Sequence, residues 1–173
     1  KVVRLKGGDP YVFGRGGEEA DALHEAGVPF EVIPGITSAI AGPAYAGIPV
    51  THRKYCTQFT VFTGHEDVNK KESSLDLKGI AGAQGTKIML MGMQKLADVC
   101  EALTGYGQEP STPAAAIQWA TTGIQRTVTG TVRTLPAKVQ KAGLGAPAVV
   151  VIGDVVKERD SLITEAPRIR FNV

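Results

Sequence analysis

Apolar residues come in short runs cut by glycine and proline, and their spacing changes along the chain. Val2, Val3 and Leu5 belong to an opening segment, 1–6, that reads as a strand and stops at the turn Gly7-Gly8-Asp9-Pro10. From Glu18 to Ala26 the apolar positions Ala20, Leu23 and Ala26 fall three apart, and Gly27 supplies a helix stop. Residues 28–33 read as a second strand, closed by Pro34-Gly35. Thr37 or Ser38 can then cap a helix of small residues running to about Tyr45. Strand, helix, strand, helix predicts an α/β unit with a parallel sheet.

The stretch from Ile48 to Tyr55 is polar, with a proline and two basic residues, and marks a connector that we place at 51–58. A second series follows. Strands are expected at 59–63, 87–91, 114–119, 125–132 and 148–152, with helices at about 94–103 and 136–142. The chain thus divides into a first unit, 1–50, a second, 59–160, and a tail, 161–173. The first unit enters a strand at residue 1 without a turn or cap. Two strands are too few to close a core, so the N-terminal part of that unit is expected to lie outside this sequence.

Composition narrows the function. With 173 residues, 43% hydrophobic and 21% charged, the chain has the make-up of a globular protein. A net charge of +2 is too small an excess for bulk nucleic-acid or membrane-surface binding. The longest uncharged stretch, 32–52, which includes 36–51, is broken by Pro34, Pro43 and Pro49 and by glycines 35, 42 and 47, which speaks against a continuous membrane helix. Neither a membrane span nor a signal peptide is expected. Cys56 and Cys100 lack any C-x-x-C partner, which speaks for two free thiols in a cytoplasmic protein and against a structural metal.

Common phosphate and hydrolase motifs fail. Gly14-Arg15-Gly16-Gly17-Glu18-Glu19 starts like G-x-G-x-x-G but ends in glutamate, and there is no P-loop, H-E-x-x-H or G-x-S-x-G. What remains is a set of small-residue turns: Gly7-Gly8-Asp9, Gly35-Ile36-Thr37-Ser38, Met91-Gly92, Ala120-Thr121-Thr122 and Ala146-Pro147-Ala148. All but the last follow a predicted strand. Ligands of open α/β sheets sit outside the carboxyl ends of strands, and small residues let bare main chain reach a flat ligand.

These residues carry a resemblance. Gly7-Gly8-Asp9-Pro10-Tyr11-Val12-Phe13-Gly14-Arg15-Gly16-Gly17-Glu18-Glu19 resembles the central motif of the uroporphyrinogen-III C-methyltransferases, which are S-adenosylmethionine-dependent tetrapyrrole methylases. Pro34-Gly35-Ile36-Thr37-Ser38-Ala39, Thr51-His52-Arg53, Thr63-Gly64-His65, Met91-Gly92 and Thr121-Thr122-Gly123-Ile124-Gln125-Arg126 match it in order, over about 1–159. The resemblance implies the tetrapyrrole-methylase (class III methyltransferase) fold, with two α/β domains and the cofactor cleft between them. In this chain the first domain would be incomplete. It implies a cytoplasmic homodimer that methylates uroporphyrinogen III at C2 and C7, giving precorrin-2 for sirohaem or cobalamin. The other readings left open are a methylase of a later corrinoid and a non-catalytic fragment that keeps only part of the donor site.

It also implies roles by position. Gly7, Gly8, Asp9 and Val12 would line the methionine and ribose part of S-adenosylmethionine, Thr37 and Ser38 would bond its polar groups, and Met91, Ala120 and Pro147 would cover its adenine. The product would be S-adenosylhomocysteine. Arg15, Glu18, Arg53 and His65 would bind the polycarboxylate macrocycle, with Arg15 and Glu18 as the catalytic candidates. Arginine suits carboxylates because its planar fork bonds two oxygens at once. As a base it is poor, since it is almost always protonated, and a binding role is preferred for Arg15. A sulfonium donor carries its own activation, so no metal is expected.

Overall fold

The structure is a computed structural model that describes residues 1–64 and 75–162. In chain order it contains α1 (Gly16–Glu25), α2 (Ser38–Tyr45), β1 (Phe59–Thr63), α3 (Leu77–Gly82), β2 (Thr86–Leu90), α4 (Leu96–Gly105), β3 (Pro113–Gln118), β4 (Arg126–Thr131), α5 (Leu135–Ala142), β5 (Ala148–Ile152) and α6 (Arg159–Leu162). The strands form one sheet in the order β1-β2-β5-β3-β4.

The strand directions, which hydropathy alone leaves open, are mixed. Among the described strands β1 and β2 run parallel, β5 is antiparallel to both β2 and β3, and β4 is antiparallel to β3. The continuous apolar runs of β2, β3 and β5 reflect burial on both faces, which does not require parallel neighbours. Side chains alternate across a strand. Ile88, Leu90, Ala115, Ile117, Val149 and Val151 therefore meet Ala39, Ala46 and Ile48 in and after α2. Met89, Ala114, Ala116, Val150 and Ile152 meet α4 and α5 on the other face. In α4, Leu96, Val99, Cys100 and Leu103 point inward at helical spacing.

The expected strands at 1–6 and 28–33 are not formed. Both segments lack ladder partners among the described residues, and a strand exists only through its ladder; Val2, Val3, Leu5 and Ile33 stand exposed. The helix expected at 18–26 starts earlier, at Gly16, whose N–H donates to the Pro10 carbonyl at 2.9 Å. A Cβ on Gly16 would collide with that same carbonyl, so the approach requires glycine. The helix expected near 37–45 is present, with the Thr37 side chain accepting the Ala39 N–H. Two strands stop one residue short of expectation, because Met91 (φ 52°) and Trp119 (φ 48°) turn left-handed. The expected tail, 161–173, lies outside the described residues from 163 onward. No helix among the described residues is long and apolar enough to cross a membrane.

Lys87, the second residue of β2, is buried beside Thr60 of β1 and Ile152 of β5. Its Nζ donates to the Ala83 carbonyl at 2.7 Å. Desolvation pushes its ammonium below the ordinary lysine value. The folded protein thus releases this proton before the unfolded chain, which holds it to about pH 10.4. Across that interval the unfolded state binds more protons, so this group makes stability rise with pH. Urea titrations at increasing pH should show this rise in the wild type relative to Lys87→Met; a pH-independent difference would contradict it. Leu103→Ala, at a fully buried site, should cost about 2–5 kcal/mol, read as a lower urea midpoint with an unchanged slope.

Candidate functional site

The antiparallel placement of β5 builds the site. Leu90, the last residue of β2, pairs with Val149, and Gln118, the last of β3, pairs with Ala148. The start of β5 therefore shares one sheet edge with the ends of β2 and β3. That is why Ala146-Pro147, which precedes its strand, joins the turns that follow theirs. The Trp119 N–H donates to the Pro147 carbonyl at 3.1 Å and fastens two of these turns together.

The glycine-rich loop at 7–14 and the start of α2 form the opposite wall. Asp9 joins them: one carboxylate oxygen accepts the Tyr11 N–H at 2.9 Å, and the other accepts the Gly35 N–H at 3.1 Å. A Cβ on Gly35 would occupy the place of the Gly8 carbonyl oxygen, so only glycine lets these loops touch. Thr37 Oγ1 is engaged as the cap of α2, which leaves its hydroxyl proton to donate elsewhere.

Between the walls lies a cavity of about 770 Å³. Gly7, Gly8, Asp9, Val12, Thr37, Ser38, Met91, Ala120 and Pro147 all line it. These nine candidates come from five separate stretches of sequence. The size falls in the range of about 300–1,000 Å³ for small-molecule sites, and the lining is mostly apolar with a few polar groups, as such sites are. The sequence reading missed Phe13, Trp119 and Thr121, which also line it. All three have left-handed backbone, as do Met91 and Arg15. These five are the non-glycine residues with positive φ among the described residues, and each lines this cavity or its neighbour. Strain of this kind persists only where surroundings enforce it, and it gathers at functional sites. The one signal in the sequence was position, directly after a strand or inside the glycine-rich loop.

A second cavity of about 580 Å³ adjoins the first and shares Phe13 and Met91 with it. Arg15 and Glu18 line it, with Arg15 Nε 3.4 Å from Glu18 Oε1. Both side chains are exposed, so this ion pair is weak and open to exchange for a ligand. The adjacent Glu19 behaves differently. It accepts from Lys6 at 2.8 Å and from Arg4 at 3.1 Å, which tie 1–6 to α1 and hold its carboxyl below the usual carboxylate range. Arg53 is not brought to either cavity. It sits exposed in the tight turn closed by the His52–Cys56 bridge. The candidate His65 lies outside the described residues. No group of three or more metal-ligating side chains exists among the described residues.

Known proteins share this arrangement. The family profile described as Tetrapyrrole (Corrin/Porphyrin) Methylases matches residues 1–136. A Bacillus subtilis protein named uroporphyrinogen-III C-methyltransferase is 52% identical over 155 residues, covering 90% of this chain and 32% of that protein. A Methanosarcina barkeri protein named S-adenosyl-L-methionine-dependent uroporphyrinogen III methyltransferase is 52% identical over 161 residues, covering 93% of this chain and 63% of that protein. The chain thus spans about one third to two thirds of the length of these relatives. The crystal structure of uroporphyrin-III C-methyl transferase from Thermus thermophilus, complexed with S-adenyl homocysteine, superimposes with a TM-score of 0.77 at 36% identity, over 90% of this chain and 67% of that one. On the family match and this shared fold, the chain belongs to the tetrapyrrole (corrin/porphyrin) methylases.

Proposed function

We propose that this chain carries the donor and acceptor sites of an S-adenosylmethionine-dependent methyltransferase that converts uroporphyrinogen III to precorrin-2 by methylation at C2 and C7. The observation that supports it is the meeting of two cavities at one wall. One is lined by bare main chain and small side chains, the other by an exposed arginine and glutamate. The names of the relatives supply the substrate class.

The larger cavity fits the donor. Its glycines 7 and 8 bring backbone amides and carbonyls to the surface, Val12 adds an apolar contact, and Thr37 and Ser38 offer hydroxyls. Met91, Ala120 and Pro147 give an apolar cover for a flat base. Asp9 spends both oxygens on holding the two loops together, so its first duty is to shape this wall. When bound, the donor supplies a methyl group on a cationic sulfur, already activated for displacement. The protein's part is then positioning, which is worth up to ~7–11 kcal/mol of a barrier, and exclusion of water.

In the smaller cavity Arg15 grips a substrate carboxylate. Its ion pair to Glu18 uses Nε, and the two terminal nitrogens remain for the substrate. Glu18 both orients Arg15 and accepts pyrrole N–H bonds. His65 is carried as a further carboxylate ligand, while Arg53, which lines neither cavity, is left out of the site. The same proposal includes a division at a 51–58 connector, with 1–50 as the C-terminal part of a first α/β domain and 59–160 as a second, and a cytoplasmic homodimer, whose mass light scattering would read.

Calorimetry on the full-length protein should detect S-adenosylhomocysteine, and anaerobic incubation with uroporphyrinogen III and S-adenosylmethionine should yield a dimethylated product. No binding and no product would overturn the assignment. Arg15→Ala should weaken tetrapyrrole binding by roughly 10–100-fold, the scale of a lost charge-assisted bond, while S-adenosylhomocysteine affinity stays within about twofold. Equal loss of both affinities would contradict the division between cavities.

A further inference from the structure

The turn after β3 is held in an unfavourable shape by one side chain that lies outside the cavity. Thr121 has φ 70°. A β-branched residue in that region is a genuine outlier, and it persists only where its surroundings enforce it. Trp119, two residues before, is left-handed as well. The turn's own groups account for part of its restraint: Thr122 Oγ1 donates to the Trp119 carbonyl at 2.7 Å, and the Gln125 N–H reaches the Thr122 carbonyl at 3.2 Å. The Thr121 N–H takes no part in these bonds. It donates instead to the side chain of Gln125, at 2.9 Å from Oε1.

The other end of the same amide reaches across the fold. Gln125 Nε2 donates to the Tyr45 carbonyl at 3.1 Å. Tyr45 is the last residue of α2, where the final carbonyls of a helix have no partner within the helix. Thr37 and Ser38, at the opposite end of α2, line the large cavity, as do Trp119, Ala120 and Thr121. One side-chain amide thus fixes the strained turn and ties it to the helix that forms the facing wall. An amide is suited to this, because it offers an acceptor and a donor on one planar group.

We propose that Gln125 is a positioning residue for the donor: it holds the 119–121 turn in the shape that closes one side of the donor cavity and sets that turn's distance from α2. This rests on reading the large cavity as the donor site. Gln125 does not line either cavity, so its effect passes through Thr121 and Tyr45.

The test uses the full-length protein and S-adenosylhomocysteine as the probe, with thermal melting to verify folding. Gln125→Leu removes both bonds and should weaken S-adenosylhomocysteine about tenfold, raising the KM for S-adenosylmethionine in step while the KM for uroporphyrinogen III stays unchanged. Gln125→Glu keeps the acceptor for the Thr121 N–H but sets a carboxylate oxygen against the Tyr45 carbonyl in place of the donor, so it should weaken S-adenosylhomocysteine by an amount between wild type and the leucine variant, and it stays informative if the leucine variant does not fold. Unaltered donor affinity in both variants would overturn the proposal, as would an equal rise in both KM values. Wild-type protein that does not bind S-adenosylhomocysteine would overturn the donor-site reading and this inference together, which separates the two failures.

Discussion

β5 lies between β2 and β3 and runs against both, so Leu90 faces Val149 and Gln118 faces Ala148 across the ladder. This register is what the site depends on. Had β5 run parallel to its neighbours, the 146–148 turn would sit at the far edge of the sheet, and the large cavity would lose one wall. The register is strongly fixed because both faces of β5 are buried. A slip by one residue would exchange Val149 and Val151 with Val150 and Ile152 between two different cores. Core packing thereby enforces the alignment of turns at a distant rim.

At that rim the backbone departs from ordinary geometry. Phe13, Arg15, Met91, Trp119 and Thr121 adopt left-handed conformations that their side chains disfavour. For Met91 and Trp119 the consequence is direct: each ends its strand one residue early and redirects the chain across the mouth of the cavity. The restraints come from hydrogen bonds in the second row, such as Trp119 to Pro147 and Thr121 to Gln125. Stability in the sheet is thus converted into local strain where a ligand would sit, which is the usual direction of that exchange.

Much of this was legible in the residues, for identifiable reasons. The apolar runs of β2 and β5 and the spacing of α4 announce themselves by period. Thr37 announces α2 because a cap has a fixed chemistry. Turns rich in glycine and small residues mark the places where main chain is exposed, and nine candidates met in one cavity for that reason. What was not legible depends on partners distant in sequence. Residues 1–6 and 28–33 have strand-like patterns, yet without ladder partners among the described residues they form no strand. Strand direction is invisible to hydropathy when both faces are buried. Glu18 and Glu19 are alike in sequence, and only the fold reveals that Lys6 and Arg4 claim the second. Arg53 matched a motif and still sits away from both cavities.

The two cavities also differ in how they would hold a ligand, and the difference bears on the order of events. The larger one is fixed by hydrogen bonds: Asp9 to Gly35 and Trp119 to Pro147 each hold one wall together, and Gln125 to Tyr45 ties the two walls to each other. Such a site is formed before its ligand arrives and loses little entropy on binding. The smaller one presents Arg15 and Glu18, exposed and paired to each other, at the start of a helix that begins with two glycines. These long side chains must be ordered by whatever they grip. Phe13 and Met91, common to both cavities, stand where the rigid half meets the adaptable half. In the proposed reaction, a macrocycle that must be methylated at two different carbons has to present itself twice to the same donor position. A firm donor chamber beside a yielding acceptor chamber meets that demand, because only the acceptor contacts need to be remade between the first methylation and the second.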